Sequence, residues 1–311
     1  MNRSLVKIAP LAGFILSLVL IGVRPALTGS LPPLRPLNRT PEVTPKPFAN
    51  YRSPTQTHKA IVDKNDTAVL SGLIASGARL IEDYGSFALY GVPGTSLNPD
   101  SGSTNPLDEK STRAIRDDLN LILLSTGTFD TTQVESSDGS GPDGPAASTL
   151  APSTGTRSEP QLLLVQMIGP IKPEWLVWLR SRSDILSYVP NDAYLVRPKR
   201  GRSAELAQAG QVGPGFVQWT GPFKPQYKVA PRILSAEGGA LASVEPGTIV
   251  VTVQIARSSH TSKTIAEVTA LADSVASEPV RISNYVDLRI RANRESIQRI
   301  AEFTNVVWIE P

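Results

Sequence analysis

Two histidines are the whole imidazole supply of this chain, and neither stands beside the groups that would make it catalytic. His260 follows Ser258 and Ser259, so a hydroxyl and an imidazole are neighbours. Hydrolysis would further need a carboxylate to orient the ring, an oxyanion hole and a cleft. Adjacent residues in a loop supply none of these, so His260 is expected to be a solvated loop histidine. His58 falls at the end of a proline-rich stretch. There is no cysteine, which excludes disulfides, thiol nucleophiles and zinc–thiolate sites. Two isolated histidines lack the ligand spacing that holds zinc, so no metal or cofactor is expected. The acidic pairs Glu82-Asp83 and Asp117-Asp118 could suggest acid–base chemistry. Side chains adjacent in sequence diverge on strands and helices alike, so these pairs read as solvated faces. Gly213-Pro214-Gly215 lacks the Lys-Ser/Thr of a phosphate loop and reads as a turn. Trp175 and Trp178 share one helix face, a core or interdomain contact. No catalytic, cofactor-binding or metal-binding residue is assigned.

The elements behind these residues repeat. From Thr248 onward the order is strand TIVVTVQI, helix SKTIAEVTALADSVA, strands VRISNY and VDLRIRA, helix RESIQRIAEF and strand VVWIEP. In the first strand Ile249, Val251, Val253 and Ile255 share one face, and in the first helix Ile265, Val268, Leu271 and Val275 do. Asn293 suits the N-cap of the second helix, with Glu295 in its first turn. This is a βαββαβ order, the ferredoxin-like pattern. A second copy reads LLLVQM, PEWLVWLRSR, ILSYV, AYLVRP, SAELAQA and FVQW, with Pro173 opening its first helix. A weaker copy reads KAIVDKN, TAVLSGLIASG, RLIEDY, FALYGV, helix TRAIRDDL and strand LILLST. The predicted class is α+β: tandem ferredoxin-like sandwiches joined by linkers rich in Pro, Ser and Gly. Each would leave one sheet face open to a partner.

The predicted map has seven segments: 1–29, 30–57, 58–130, 131–160, 161–220, 221–246 and 247–311. The first has a basic start, Arg3 and Lys7, then a short apolar run, and reads as a signal peptide or a membrane anchor. The second is a Pro-rich disordered spacer; residues 25–54 hold eight prolines. The third is the degenerate first unit, the fourth a Ser/Gly/Pro-rich linker, the fifth the second unit. The sixth, GPFKPQYKVAPRIL and beyond, keeps aromatics between its prolines and reads as a linker or ordered strap. The seventh is the third unit. Net charge is +3 over 311 residues, with no run of five Lys or Arg, so no nucleic-acid partner is expected. Membrane contact is expected only through the N-terminal segment, if it stays uncleaved.

Residues 58–311 resemble, in order, the long N-terminal region of certain exported bacterial subtilisin-like serine peptidases. The strings that carry the resemblance are GARLIEDYGSFALYGV, RDDLNLILLSTGTFDTT, LLLVQMIGPIKPEWLVWLRSRSDILSYVPNDAYLVR, FVQWTGPFKPQYKVAP and NVVWIEP. The last looks like the strand before the mature peptidase domain. The resemblance implies tandem propeptide-like domains that assist folding of a peptidase and block its cleft. The family's Asp, His and Ser motifs do not occur here; Gly94-Thr95-Ser96 is followed by Leu97-Asn98-Pro99 and is a coincidence of small residues.

The expectation is therefore a non-catalytic, exported prodomain-like chain, periplasmic, cell-surface or extracellular. Its partner would be a subtilisin-like peptidase domain in cis or in trans. The chain stops at its last strand, which suggests that a peptidase segment once followed. The expected contact residues are the outward positions Thr252, Gln254, Asp287 and Arg289 with the terminal Glu310 and Pro311. The alternative is an envelope-associated adapter built of the same protein-binding modules.

Overall fold

A computed structural model of the chain describes residues 57–97, 107–132, 160–234 and 247–311. The N-terminal signal or anchor segment and its spacer up to residue 56 lie outside the described residues. So do 98–106, 133–159 of the Ser/Gly/Pro-rich linker, and 235–246 of the strap. No described helix is long and apolar enough to cross a membrane.

The described residues form an α+β fold of small antiparallel sheets with helices packed on them. The first region comprises β1 (Thr57–Asp63), α1 (Thr67–Ala75), β2 (Arg79–Asp83) and β3 (Phe87–Pro93) in a three-stranded sheet ordered β1-β3-β2. Asp66 caps α1, its carboxylate accepting from the Val69 N–H at 3.3 Å. Gly77, with φ +86°, turns the chain back after the helix. Ala60, Val62, Val69, Leu73 and Val92 form its core.

Here the structure departs from the expected closing helix and strand. TRAIRDDL is not one helix: α2 (Glu109–Thr112) makes a single turn, and Asp117–Asn120 is a 3₁₀ turn. The LILL segment does not join the first sheet. It forms β4 (Leu121–Leu124), which pairs only with β5 (Gly127–Asp130) as a hairpin. Ile122, Leu124 and Phe129 of this hairpin instead pack on Leu162, Leu164 and Leu195 of the second sheet. Burial there outweighs local pairing order.

The second sheet is built from β6 (Leu163–Met167), α3 (Pro173–Arg182), β7 (Ser183–Val189), β8 (Ala193–Pro198), α4 (Ser203–Ala207), α5 (Ala209–Val212) and β9 (Val217–Pro222). Its spatial order is β7-β8-β6-β9, antiparallel throughout. Pro173 at the start of α3 suits a position whose N–H has no helical acceptor. Asn191 and Asp192 turn the β7–β8 hairpin at φ +67° and +62°, a region these two residue types tolerate better than most. Leu163, Val165 and Met167 face the helices, against Trp175, Leu179 and Leu206. Trp175 stacks on Phe216 at 5.3 Å and Trp178 meets the same ring edge-on at 5.5 Å. Leu162, Leu164 and Leu195 face the other way, under the hairpin and Phe223. Every residue of β6 is buried, so this sheet is covered on both faces and its expected open face is corrected.

Residues after β9 make a 3₁₀ turn at Pro225–Tyr227 and a one-turn helix, α6 (Pro231–Leu234). Val229, Ala230 and Ile233 sit in the third core. That core belongs to β10 (Thr248–Ala256), α7 (Thr261–Leu271), β11 (Ser274–Val275), β12 (Val280–Ile282), β13 (Tyr285–Asn293), α8 (Arg294–Ala301) and β14 (Val306–Glu310). The order is β11-β13-β10-β14, with β12 also on β13. The Asn293 side chain caps α8, accepting from the Ser296 N–H at 2.8 Å. The helix expected to reach Val275 ends at Leu271. Asp273 N–H and Ala276 N–H donate to the Arg291 and Arg289 carbonyls, so sheet-edge bonds replace another helical turn. Val275 lies on that edge strand and is 44% exposed, not on the buried side of α7.

Candidate partner-binding face

The third sheet presents its outer face as a small grid. Antiparallel register sets Arg289, Thr252 and Glu310 side by side across β13, β10 and β14. The next row on the same face is Asp287, Gln254 and Trp308. The alternation of β10 dictates this: Val251, Val253 and Ile255 are fully buried against the helices, which turns Thr252 and Gln254 outward. Thr252, Gln254, Asp287 and Trp308 are half-buried, while Arg289, Glu310 and Pro311 are exposed. Gln254 Nε2 donates to Asp287 Oδ1 at 3.2 Å, and Trp308 Nε1 donates to Glu310 Oε2 at 2.9 Å. All six residues expected at this face are thus brought to one sheet surface or its end. The surface offers donors and acceptors of both charges and no nucleophile.

At one end the grid runs into a groove of about 350 Å³, lined by Gln254 and Trp308 together with Tyr285, Tyr188, Tyr227 and Leu124. Tyr285 OH donates to the Leu186 carbonyl at 2.7 Å and ties the third sheet to the second. Burial raises the Tyr285 and Tyr227 hydroxyls above the ordinary tyrosine range.

The second polar site was not expected. His58 is not a loop residue; it lies in β1, 1% exposed, with Nδ1 2.7 Å from Asp117 Oδ2. Asp117 is therefore not simply a solvated carboxylate, whereas Asp118 does pair outward with Arg116 at 2.8 Å. A carboxylate on Nδ1 is the orienting half of a catalytic relay, and the other half requires a nucleophile at Nε2. His58 Nε2 is buried with no hydrogen-bond partner among the described residues. His260 precedes the first turn of α7, with Nδ1 3.2 Å from Ser259 Oγ. No cluster of three His, Cys, Asp or Glu suited to a metal occurs among the described residues.

Beside His58, Lys59 is 5% exposed and donates to the Leu119 carbonyl at 3.2 Å and to Gln218 Oε1. Burial lowers its pKa to about 7, an effect that Asp192, Asp117, Asp118 and Asp130 only partly oppose. The Gln218 amide donates to Thr131 Oγ1 at 2.9 Å and to Gln166 Oε1 at 3.0 Å. Gln166 Nε2 in turn reaches the carbonyls of Leu119, Leu121 and Asn191 within 3.3 Å. This network joins β1, the hairpin and the second sheet. Its signal in the sequence is one glutamine in each of two apolar strands, LLLVQM and FVQW. A lone amide in a fully buried strand must find buried partners.

Residues 123–224 match a family described as a domain of unknown function, DUF8729. The matched span takes in most of the hairpin with the second sheet, the pieces that share one apolar cluster. No curated protein and no solved structure matches the chain.

Proposed function

We propose that this chain is a non-catalytic, prodomain-like region of an exported subtilisin-like serine peptidase, acting as folding assistant and inhibitor of the peptidase domain in cis or in trans. The second and third sheets are read as tandem ferredoxin-like sandwiches, with the three-stranded first sheet as a degenerate relative. Their strand orders support that reading: first-to-last numbering of the second sheet gives 2-3-1-4, and the third gives the same order when the two short strands β11 and β12, both paired with β13, are counted as one; helices then follow the first and third strands in each.

One observation carries the functional reading. The outer face of the second sheet is filled by the molecule's own hairpin, whereas the third sheet joins that cluster only at one end, through Ala256, Val307 and Trp308, and elsewhere presents a polar grid with one cation and two carboxylates. Such a face suits a protein partner: central apolar anchors, Trp308 and the groove beside it, with a polar rim. The mechanism is steric. Thr252, Gln254, Asp287 and Arg289 dock on the peptidase, and Glu310-Pro311 extend toward its cleft as an added strand.

Subtilisin is the probe. The purified chain is expected to slow its hydrolysis of a chromogenic peptide, and Arg289→Glu combined with Gln254→Lys is expected to weaken that inhibition while circular dichroism stays unchanged. Equal inhibition by the variant would place the contact elsewhere. An absence of inhibition, with capture of other envelope proteins through the same face, would favour the adapter reading.

A further inference from the structure

We infer that the cleft between the second and third sheets is a binding site for a small polyvalent oxyanion, a phosphate or a polycarboxylate. The cleft has a volume of about 660 Å³. Its lining includes Arg180 from the end of α3, Arg197 and Lys199 from β8 and the residue beyond it, and Arg257 from the loop after β10. Asp184 is the single carboxylate in that lining. Four cations against one acid is a concentration of charge out of proportion to a chain whose net charge is +3 over 311 residues.

Backbone carbonyls hold three of these cations. Arg197, 8% exposed, donates to the carbonyls of Arg257 at 2.7 Å and Ala256 at 3.3 Å, and to Asn305 Oδ1 at 3.0 Å. Arg257 Nη1 donates to the Ser283 carbonyl at 3.0 Å, and Lys199 Nζ to the Arg180 carbonyl at 2.5 Å. At Lys199 and Arg257 backbone carbonyls fix the geometry without cancelling the charge. Among the described residues no carboxylate lies within 4.0 Å of the charged nitrogens of Arg180, Lys199 or Arg257. Arg180 and Lys199 from the second sheet's side and Arg257 from the third's line one concave space. That is the arrangement that takes two or more oxygen acceptors at once. A ligand there would bridge the second and third sheets, so its binding also ties them together. This site does not depend on the peptidase reading, since the docking face uses none of its residues.

The test is calorimetric titration of the full chain with pyrophosphate and, separately, citrate, at an ionic strength held constant with potassium chloride. Saturable binding is expected for at least one of them, and which one binds decides between phosphate and carboxylate. Arg180→Gln with Lys199→Gln, both exposed, is expected to weaken it about tenfold or more. Arg79→Gln with Arg299→Gln removes the same charge from exposed sites outside the cleft and is expected to leave binding unchanged. The proposal is overturned if neither anion saturates, or if the control pair loses as much as the cleft pair.

Discussion

The second and third sheets have similar orders of elements, the third with an additional short strand, and differ in what lies on the face away from the helices. In the second, Leu162, Leu164 and Leu195 meet Ile122, Leu124 and Phe129 of the β4–β5 hairpin, with Phe223 alongside. In the third, the same face carries Thr252, Gln254, Asp287 and Arg289. The difference is written in the first strand of each. LLVQM is buried at every position, whereas TIVVTVQIA alternates between buried and half-buried through its centre. A strand covered on both faces cannot alternate, and one that alternates declares a free face. The face of the second sheet is covered by apolar side chains, whereas that of the third is polar and half-buried to exposed, the property on which the proposed docking rests.

The largest effects should come from uncovering the scaffold. Leu164→Ala removes a fully buried side chain between hairpin and sheet and is expected to cost about 2–5 kcal/mol, read from urea unfolding. Ile122→Ala should cost nearly as much if the hairpin belongs to the second sheet. A cost near zero at Ile122 would mean that the hairpin is only loosely laid on. Next in size is Gln166→Leu. It leaves three carbonyls and Thr131 without their amide partner, and about 1–3 kcal/mol is expected to be lost.

A third effect is set apart by its dependence on pH. The pKa of Lys59 falls from 10.5 to about 7 on folding. Below about 7 the lysine is protonated in both states and its contribution does not change with pH. Between about 7 and 10.5 the unfolded chain holds the proton that the folded chain has released. Stability therefore rises with pH across that window and levels off above it. Unfolding midpoints at pH 6, 8 and 10, corrected for Lys59→Met, isolate this slope. A Lys59→Met profile identical to that of the parent would remove Lys59 from the account. The smallest effect on stability belongs to the free face: Arg289→Glu should stay within about 0.5 kcal/mol of the parent, because its side chain is exposed.

Several local elements were legible in the sequence, whereas the covering of the second sheet was not. The period-two pattern of β10 and β13, the Asn293 cap and Pro173 at the start of α3 are local signals, and local physics decides them. The fate of LILLST is not local. Four apolar residues of that kind suit a closing edge strand and a covering hairpin equally well, and only the area available on Leu162 and Leu164 separates the two. Val275 moved from helix to strand for a similar reason, since free carbonyls on β13 competed for the next turn of α7. His58 and Lys59 look like polar residues at the margin of a spacer. Their burial follows from the 3₁₀ turn at Asp117–Asn120 and the second sheet's Gln218 closing over β1, which no window around them records.

The claim that the free face of the third sheet is the docking face can be read directly by carboxyl footprinting. The chain is labelled with carbodiimide and glycine ethyl ester, alone and with active-site-blocked subtilisin. Asp287 and Glu310 are expected to lose labelling in the complex, while Glu109 and Glu174, exposed on α2 and α3, keep theirs. Unchanged labelling at Asp287 and Glu310, with protection confined to the carboxylates of the first sheet, would contradict the account.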